Sequence, residues 1–168
     1  MRSITLIGMP ASGKSTVGKA LAAKLGMQFL DLDIYIEDRE HQKLALIVQE
    51  RGDSAVLRLE EDCALEVPLD NMVFAPGGSL VYSTKAMERL QRETTIVFLA
   101  ASLDEIKRRV ESSADRGIIG ARSKTIEEIY QERLPLYQKY ADITVDTSDR
   151  MTDRVVKEII AGTRDTIT

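Results

Sequence analysis

The stretch Gly8-Met9-Pro10-Ala11-Ser12-Gly13-Lys14-Ser15 constrains this chain more than any other. It fits G-x-x-x-x-G-K-[ST], the phosphate-binding P-loop. The pattern carries meaning only between a strand and a helix, and both neighbours are there. Ser3-Ile4-Thr5-Leu6-Ile7 reads as a short buried strand, and Thr16 to Leu25 reads as a helix with Val17, Ala20, Leu21, Ala23 and Leu25 apolar. Gly8 and Gly13 let the backbone bend so that several N–H groups point into one cavity. The helix N-terminus adds about half a positive charge. Lys14 then places an ammonium on the outer phosphates, where charge shifts during transfer, and the Ser15 hydroxyl is a ligand for Mg²⁺. Ala11, Ser12 and Thr16 complete the expected set around a nucleoside triphosphate.

Composition removes several alternatives. The 168 residues suit one domain, taken here as 1–168, and 43% hydrophobic with 30% charged residues is ordinary for a globular chain. A net charge of −4 and few aromatics argue against a nucleic-acid partner. One cysteine, Cys63, excludes an internal disulfide and reads as a buried structural thiol. His41 is the one histidine, so a His-rich metal site is impossible, and its polar surroundings make it solvated. No apolar run approaches the ~20 residues of a membrane span. The first residues read as strand rather than leader, so the expectation is a cytoplasmic chain, and for its size a monomer.

Strand-like runs alternate with helical ones. Met27–Leu30, Met72–Ala75, Thr94–Leu99 and Ile143–Val145 follow the first strand. Helices are expected from Ile34, from Lys43, from a cap at Asp53, from Ser83, from a capping box at Ser102 to Glu105, from Lys124 and from Thr152. Residues 112–123 are polar and contain Gly117 and Gly120, and read as a mobile lid. Apolar strands alternating with helices imply an α/β fold, a parallel sheet covered on both faces. Ligands of such sheets bind beyond the carboxyl ends of the strands. The P-loop, Asp31 with Asp33, and Pro76–Ser79 all fall there.

Asp31 and Asp33 are the second signal: alternate residues on a strand share a face, so both carboxylates are expected to point into the cleft. One carboxylate would hold Mg²⁺ through water and the other would take the proton of an attacking hydroxyl. The competing reading is a pair of helix-capping aspartates. Gly77-Gly78 allows close approach of backbone N–H groups to a ligand, or is a plain turn. Arg109, Arg116 and Arg133 are spread around these segments, whereas Arg108 and Arg154 fit solvated helix faces. Arg116, in the lid, suits charge neutralisation in phosphoryl transfer.

These residues resemble the shikimate kinases, a nucleoside-monophosphate-kinase-like branch of the P-loop proteins. The resemblance runs through residues 8–19, Phe29–Asp33, Gly52-Asp53 with Leu59-Glu60, Ala75–Gly78, Arg116–Ile119, Arg133–Tyr137 and Ala141-Asp142. It implies a three-layer α/β/α fold with five parallel strands in the order 2-3-1-4-5. It also implies an ATP- and Mg²⁺-dependent kinase acting on a hydroxyl of a small acid, with the acceptor region at about 33–62. Position by position, Asp33 would grip and deprotonate the acceptor hydroxyl, and Arg133 would bind its carboxylate. Gly77 and Gly78 would line the site beside Glu60. Lys14 and Arg116 would hold phosphates, with Arg109 stacking on adenine and Arg150 in the neighbouring loop. The chain departs from the pattern at Leu57, where the family has arginine, at Pro76, where it has glycine, and at Gly117, where it has proline. Arg58 cannot stand in for position 57, because one helical step turns the side chain by about 100°.

Three further readings are distinguishable by assay. The same chemistry could act on homoserine or a sugar acid, the chain could be a nucleotide kinase, or it could be an ATP-binding regulatory module. Retention of Lys14, Ser15, Asp33 and Arg116 speaks against the last.

Overall fold

The computed structural model describes residues 2–112, 118, 120–121 and 123–165. Five strands form one sheet: β1 (Ser3–Ile7), β2 (Gln28–Asp31), β3 (Met72–Ala75), β4 (Thr94–Ala100) and β5 (Ile143–Asp146). All pairings are parallel and the order is β2-β3-β1-β4-β5. The expected order and class are therefore the observed ones. Parallel neighbours cannot be joined by tight turns, so helices cross between them. These are α1 (Lys14–Leu25), α2 (Leu32–Glu40), α3 (Leu44–Arg51), α4 (Asp53–Glu66), α5 (Thr84–Glu93), α6 (Leu103–Glu111), α7 (Ile126–Tyr140) and α8 (Thr152–Asp165).

The sheet separates two apolar clusters. On one face Ile4, Leu6, Val73, Val97 and Leu99 pack with Val17 and Leu21 of α1 and Val155 and Ile159 of α8. On the other, Ile7, Phe74, Ile96 and Phe98 pack with α2 to α7 through Ile36, Ile47, Val56, Leu90, Ile106 and Tyr137. Every residue of β1 is buried, which is why its sequence shows no alternation. Cys63 lies in the second cluster, fully buried, while His41 is exposed.

Three local readings change. β2 ends at Asp31 and Asp33 sits in the first turn of α2, so the two carboxylates do not lie on one strand face. Asp53 does not cap α4: Gly52 holds that position, and the Asp53 carboxylate accepts the Gly120 N–H at 3.1 Å. Ser102 caps α6 through the Glu105 N–H, but the reciprocal capping box is found at Thr125 and Glu128. A 3₁₀ turn over Gly78–Tyr82 follows β3, where no element was expected. The expected lid at 112–123 lies mostly outside the described residues, and Arg116 and Gly117 lie wholly outside them. Among the described residues, no helix is long and apolar enough to cross a membrane.

Candidate active site

The P-loop leaves β1 and turns into α1 at the carboxyl edge of the sheet. Ala11 and Gly13 adopt left-handed φ values of 63° and 95°. Successive amides turned this way make an anion-binding concavity. Gly8 cannot carry a side chain, since a Cβ there would lie 2.8 Å from the Leu99 carbonyl and 2.8 Å from Ser12 Oγ. Ser12 Oγ is buried and has no hydrogen-bond partner among the described residues, a polar atom suited to a phosphate oxygen. Lys14 Nζ arches over the loop and donates to the Gly8 and Met9 carbonyls at 2.9 and 2.8 Å.

Ser15 and Asp31 meet beside this loop, with Ser15 Oγ donating to Asp31 Oδ2 at 2.5 Å. The other oxygen of Asp31 accepts the N–H groups of Asp33 and Ile34. Asp31 thus caps α2 with one oxygen and faces Ser15 with the other. Hard oxygen donors of this kind, one carboxylate and one hydroxyl beside a phosphate loop, suit Mg²⁺.

Arg109 reaches back from the end of α6. It donates to the Ala11 carbonyl and the Thr147 carbonyl, both at 3.2 Å, and pairs with Glu105 at 2.6 Å. Arg150, after β5, pairs with Glu158 of α8 at 2.6 Å. Together with Thr147 and Thr152 they wall the end of the cavity nearest β5.

The opposite end gathers five expected residues from four elements. Glu60 of α4 accepts the Ser79 hydroxyl on both oxygens, at 2.7 and 2.5 Å. A Cβ on Gly77 would lie 2.5 Å from Glu60 Oε1 and 2.8 Å from Asp33 Oδ1. One on Gly78 would lie 3.1 Å from Arg133 Nη1. These two glycines therefore let Asp33, Glu60 and Arg133 close around the loop. Tyr137 braces it from below, donating to the Gly78 carbonyl at 2.7 Å. Burial pushes the Glu60 carboxyl up to about 8, with the charge of Asp33 adding to it, while the Ser79 hydroxyl, Arg133 and Lys14 oppose the shift. Near neutral pH this carboxyl is a hydrogen-bond donor as well as an acceptor.

One cavity of about 890 Å³ runs past these segments. Its lining includes Ala11 to Thr16, Asp31, Asp33, Glu60, Pro76 to Ser79, Arg109, Arg133 and Arg150. Leu57 is not among the lining residues; it packs against the apolar cluster under α4. Ser79 and the Glu37–Lys43 pair at the cavity wall, and Tyr137 behind the glycine loop, had no site role legible in the sequence. For Ser79 and Tyr137 the signal was adjacency: one follows the glycine pair, and the other stands one helical turn after Arg133.

A family model described as shikimate kinase matches residues 10–164. A shikimate kinase of Persephonella marina is 33% identical over 165 residues, 98% of this chain and 100% of that one. The crystal structure of shikimate kinase from Bacteroides thetaiotaomicron superposes with a TM-score of 0.79 at 30% identity, covering 94% of this chain and 96% of that one. The shikimate kinase from Acinetobacter baumannii in complex with shikimate superposes with a TM-score of 0.89. It is 23% identical, covers 99% of this chain and 94% of that one, and speaks for the fold alone.

Proposed function

The chain belongs to the shikimate kinase family, and from that premise we propose that it transfers the γ-phosphoryl group of ATP to a hydroxyl of shikimate, giving shikimate 3-phosphate. One observation carries the reading: the P-loop and a cluster of Asp33, Glu60, Gly77, Gly78 and Arg133 border the same cavity. Donor and acceptor are thereby held at neighbouring ends of one space, which is most of what phosphoryl transfer asks of a protein.

The loop amides and Lys14 take the phosphates, and Lys14 exchanges its two loop carbonyls for phosphate oxygens. Ser15 and Asp31 would hold Mg²⁺, which when bound neutralises charge on the outer phosphates. Arg109 and Arg150 frame the base, and Arg116 is assigned to the phosphates through the family resemblance. Asp33 accepts the proton of the acceptor hydroxyl as the new P–O bond forms. Arg133 binds the acceptor carboxylate, and Glu60, held largely protonated, hydrogen-bonds the acceptor's polar edge.

A second reading has its own observation. With Leu57 packed on the core, position 57 supplies no guanidinium to the cavity. The loss of a bidentate Arg–carboxylate contact typically costs about 2–4 kcal/mol. That favours an acceptor less dependent on a double contact, such as homoserine or gluconate. A coupled ADP-release assay on shikimate, homoserine, gluconate and nucleoside monophosphates separates the cases. Shikimate turnover with kcat/KM above about 10⁴ M⁻¹s⁻¹ is the expected result. Turnover of another acid with shikimate inert would overturn the acceptor but keep the chemistry.

A further inference from the structure

Arg133 is a long, flexible side chain placed in a role that demands one orientation. It is only 1% exposed, and its surroundings show what holds it. Its Nε–H donates to the Tyr82 hydroxyl at 3.2 Å, and its guanidinium carbon lies 5.2 Å from the centre of the Tyr82 ring. The Tyr82 hydroxyl in turn donates to Glu132 Oε1 at 2.5 Å, and the other oxygen of Glu132 takes the ammonium of Lys124.

A phenol has one proton and two lone pairs. Lys124 and the phenol keep Glu132 below the usual carboxylate range, so Glu132 is ionised and draws the phenol proton to itself. The lone pairs are left facing Arg133. The chain Lys124–Glu132–Tyr82–Arg133 alternates in polarity, and each member orients the next. Tyr82 closes the 3₁₀ turn that starts at Gly78, the residue whose missing side chain admits Arg133 Nη1. The loop at the acceptor site and the arginine that passes over it are thus tied at the end of the turn by Tyr82, and at its start by Tyr137, whose hydroxyl donates to the Gly78 carbonyl and takes a hydrogen bond from Arg133. Tyr82 is not among the residues that line the cavity.

We propose that Tyr82 is a positioning residue for acceptor specificity: through its hydroxyl and ring it sets the plane in which the Arg133 guanidinium meets the acceptor carboxylate. The inference rests on the reading of Arg133 as the carboxylate-binding residue. It matters more here because position 57 brings no second guanidinium to the cavity. Fixing an arginine before the ligand arrives lowers the entropy lost on binding, and so lowers KM for the acceptor rather than speeding the chemical step.

The test is steady-state kinetics of the full chain on Tyr82→Phe, Tyr82→Leu and Arg133→Met, varying shikimate and ATP in turn, with thermal midpoints alongside. If the acceptor panel selects another hydroxy acid, that acid takes the place of shikimate. Tyr82→Phe keeps the ring and removes one hydrogen bond to a charged group, and raises the acceptor KM about 5-fold. Tyr82→Leu removes the ring contact too, and raises it about 30-fold. In both, kcat stays within about threefold and the KM for ATP within about twofold. An unchanged acceptor KM in both variants overturns the inference, as does a parallel rise in the KM for ATP, which would mean general loosening. If Arg133→Met raises the acceptor KM and the Tyr82 variants do not, the reading of Arg133 stands and the inference falls. If Arg133→Met leaves the acceptor KM unchanged, both fall.

Discussion

Replacing Glu60 by glutamine keeps the side chain's shape and its acceptor toward Ser79, and removes its charge. In the native chain this carboxyl is 1% exposed and its protonation runs up to about 8, against 4.5 for the ordinary group. Between those values the unfolded chain releases the proton while the folded chain keeps it. Stability therefore falls as pH rises through that window, and is level below it and above it. The whole window corresponds to about 2–5 kcal/mol, the upper end being the full displacement and the lower allowing for relaxation around the site. Glu60→Gln does not titrate, so its stability relative to the native chain rises by about that amount from pH 5 to pH 8.5. Urea denaturation of both chains at four or five pH values measures it, and other groups cancel in the difference. A difference constant to within about half a kcal/mol would refute the reasoning. It would mean that Arg133 and Lys14 outweigh burial and that Glu60 is a carboxylate throughout.

Lys14→Ala should reduce phosphoryl transfer by about 10³-fold or more with an unchanged fold; normal turnover would overturn the assignment of the phosphate site. Gly77→Ala puts a methyl carbon 2.5 Å from Glu60 Oε1 and 2.8 Å from Asp33 Oδ1. Both carboxyl groups must move, and kcat/KM for the acceptor should drop at least about tenfold with little change in the KM for ATP. Equal kinetics would show that the loop does not set the spacing of Asp33 and Glu60. Leu57→Arg should raise kcat/KM on shikimate by about tenfold, and no gain would mean that position 57 does not point toward the acceptor.

What sequence alone determined here was whatever depends on local pattern. The P-loop motif, the apolar runs and the helical periodicities are complete within a few residues each, and right-handed crossovers between parallel strands leave few ways to assemble them. The order β2-β3-β1-β4-β5 was legible only through family resemblance, and the structure has it. Asp31 and Asp33 were legible as a pair, but their placement on two different elements was not. It depends on where β2 stops and α2 starts, and strand ends are decided by pairing with β3. Asp53 looks like a cap in the sequence because nothing local reveals Gly120, 67 positions away, as its partner. The same reason hid how the residues at the acceptor end of the cavity meet one another. Glu60 meets Ser79 across 19 positions, and Arg133 meets Tyr82 across 51. Such contacts are set by how α4, α7 and the 3₁₀ turn pack against the sheet, and burial there, not residue type, is what makes a glutamate hold its proton and an arginine hold still.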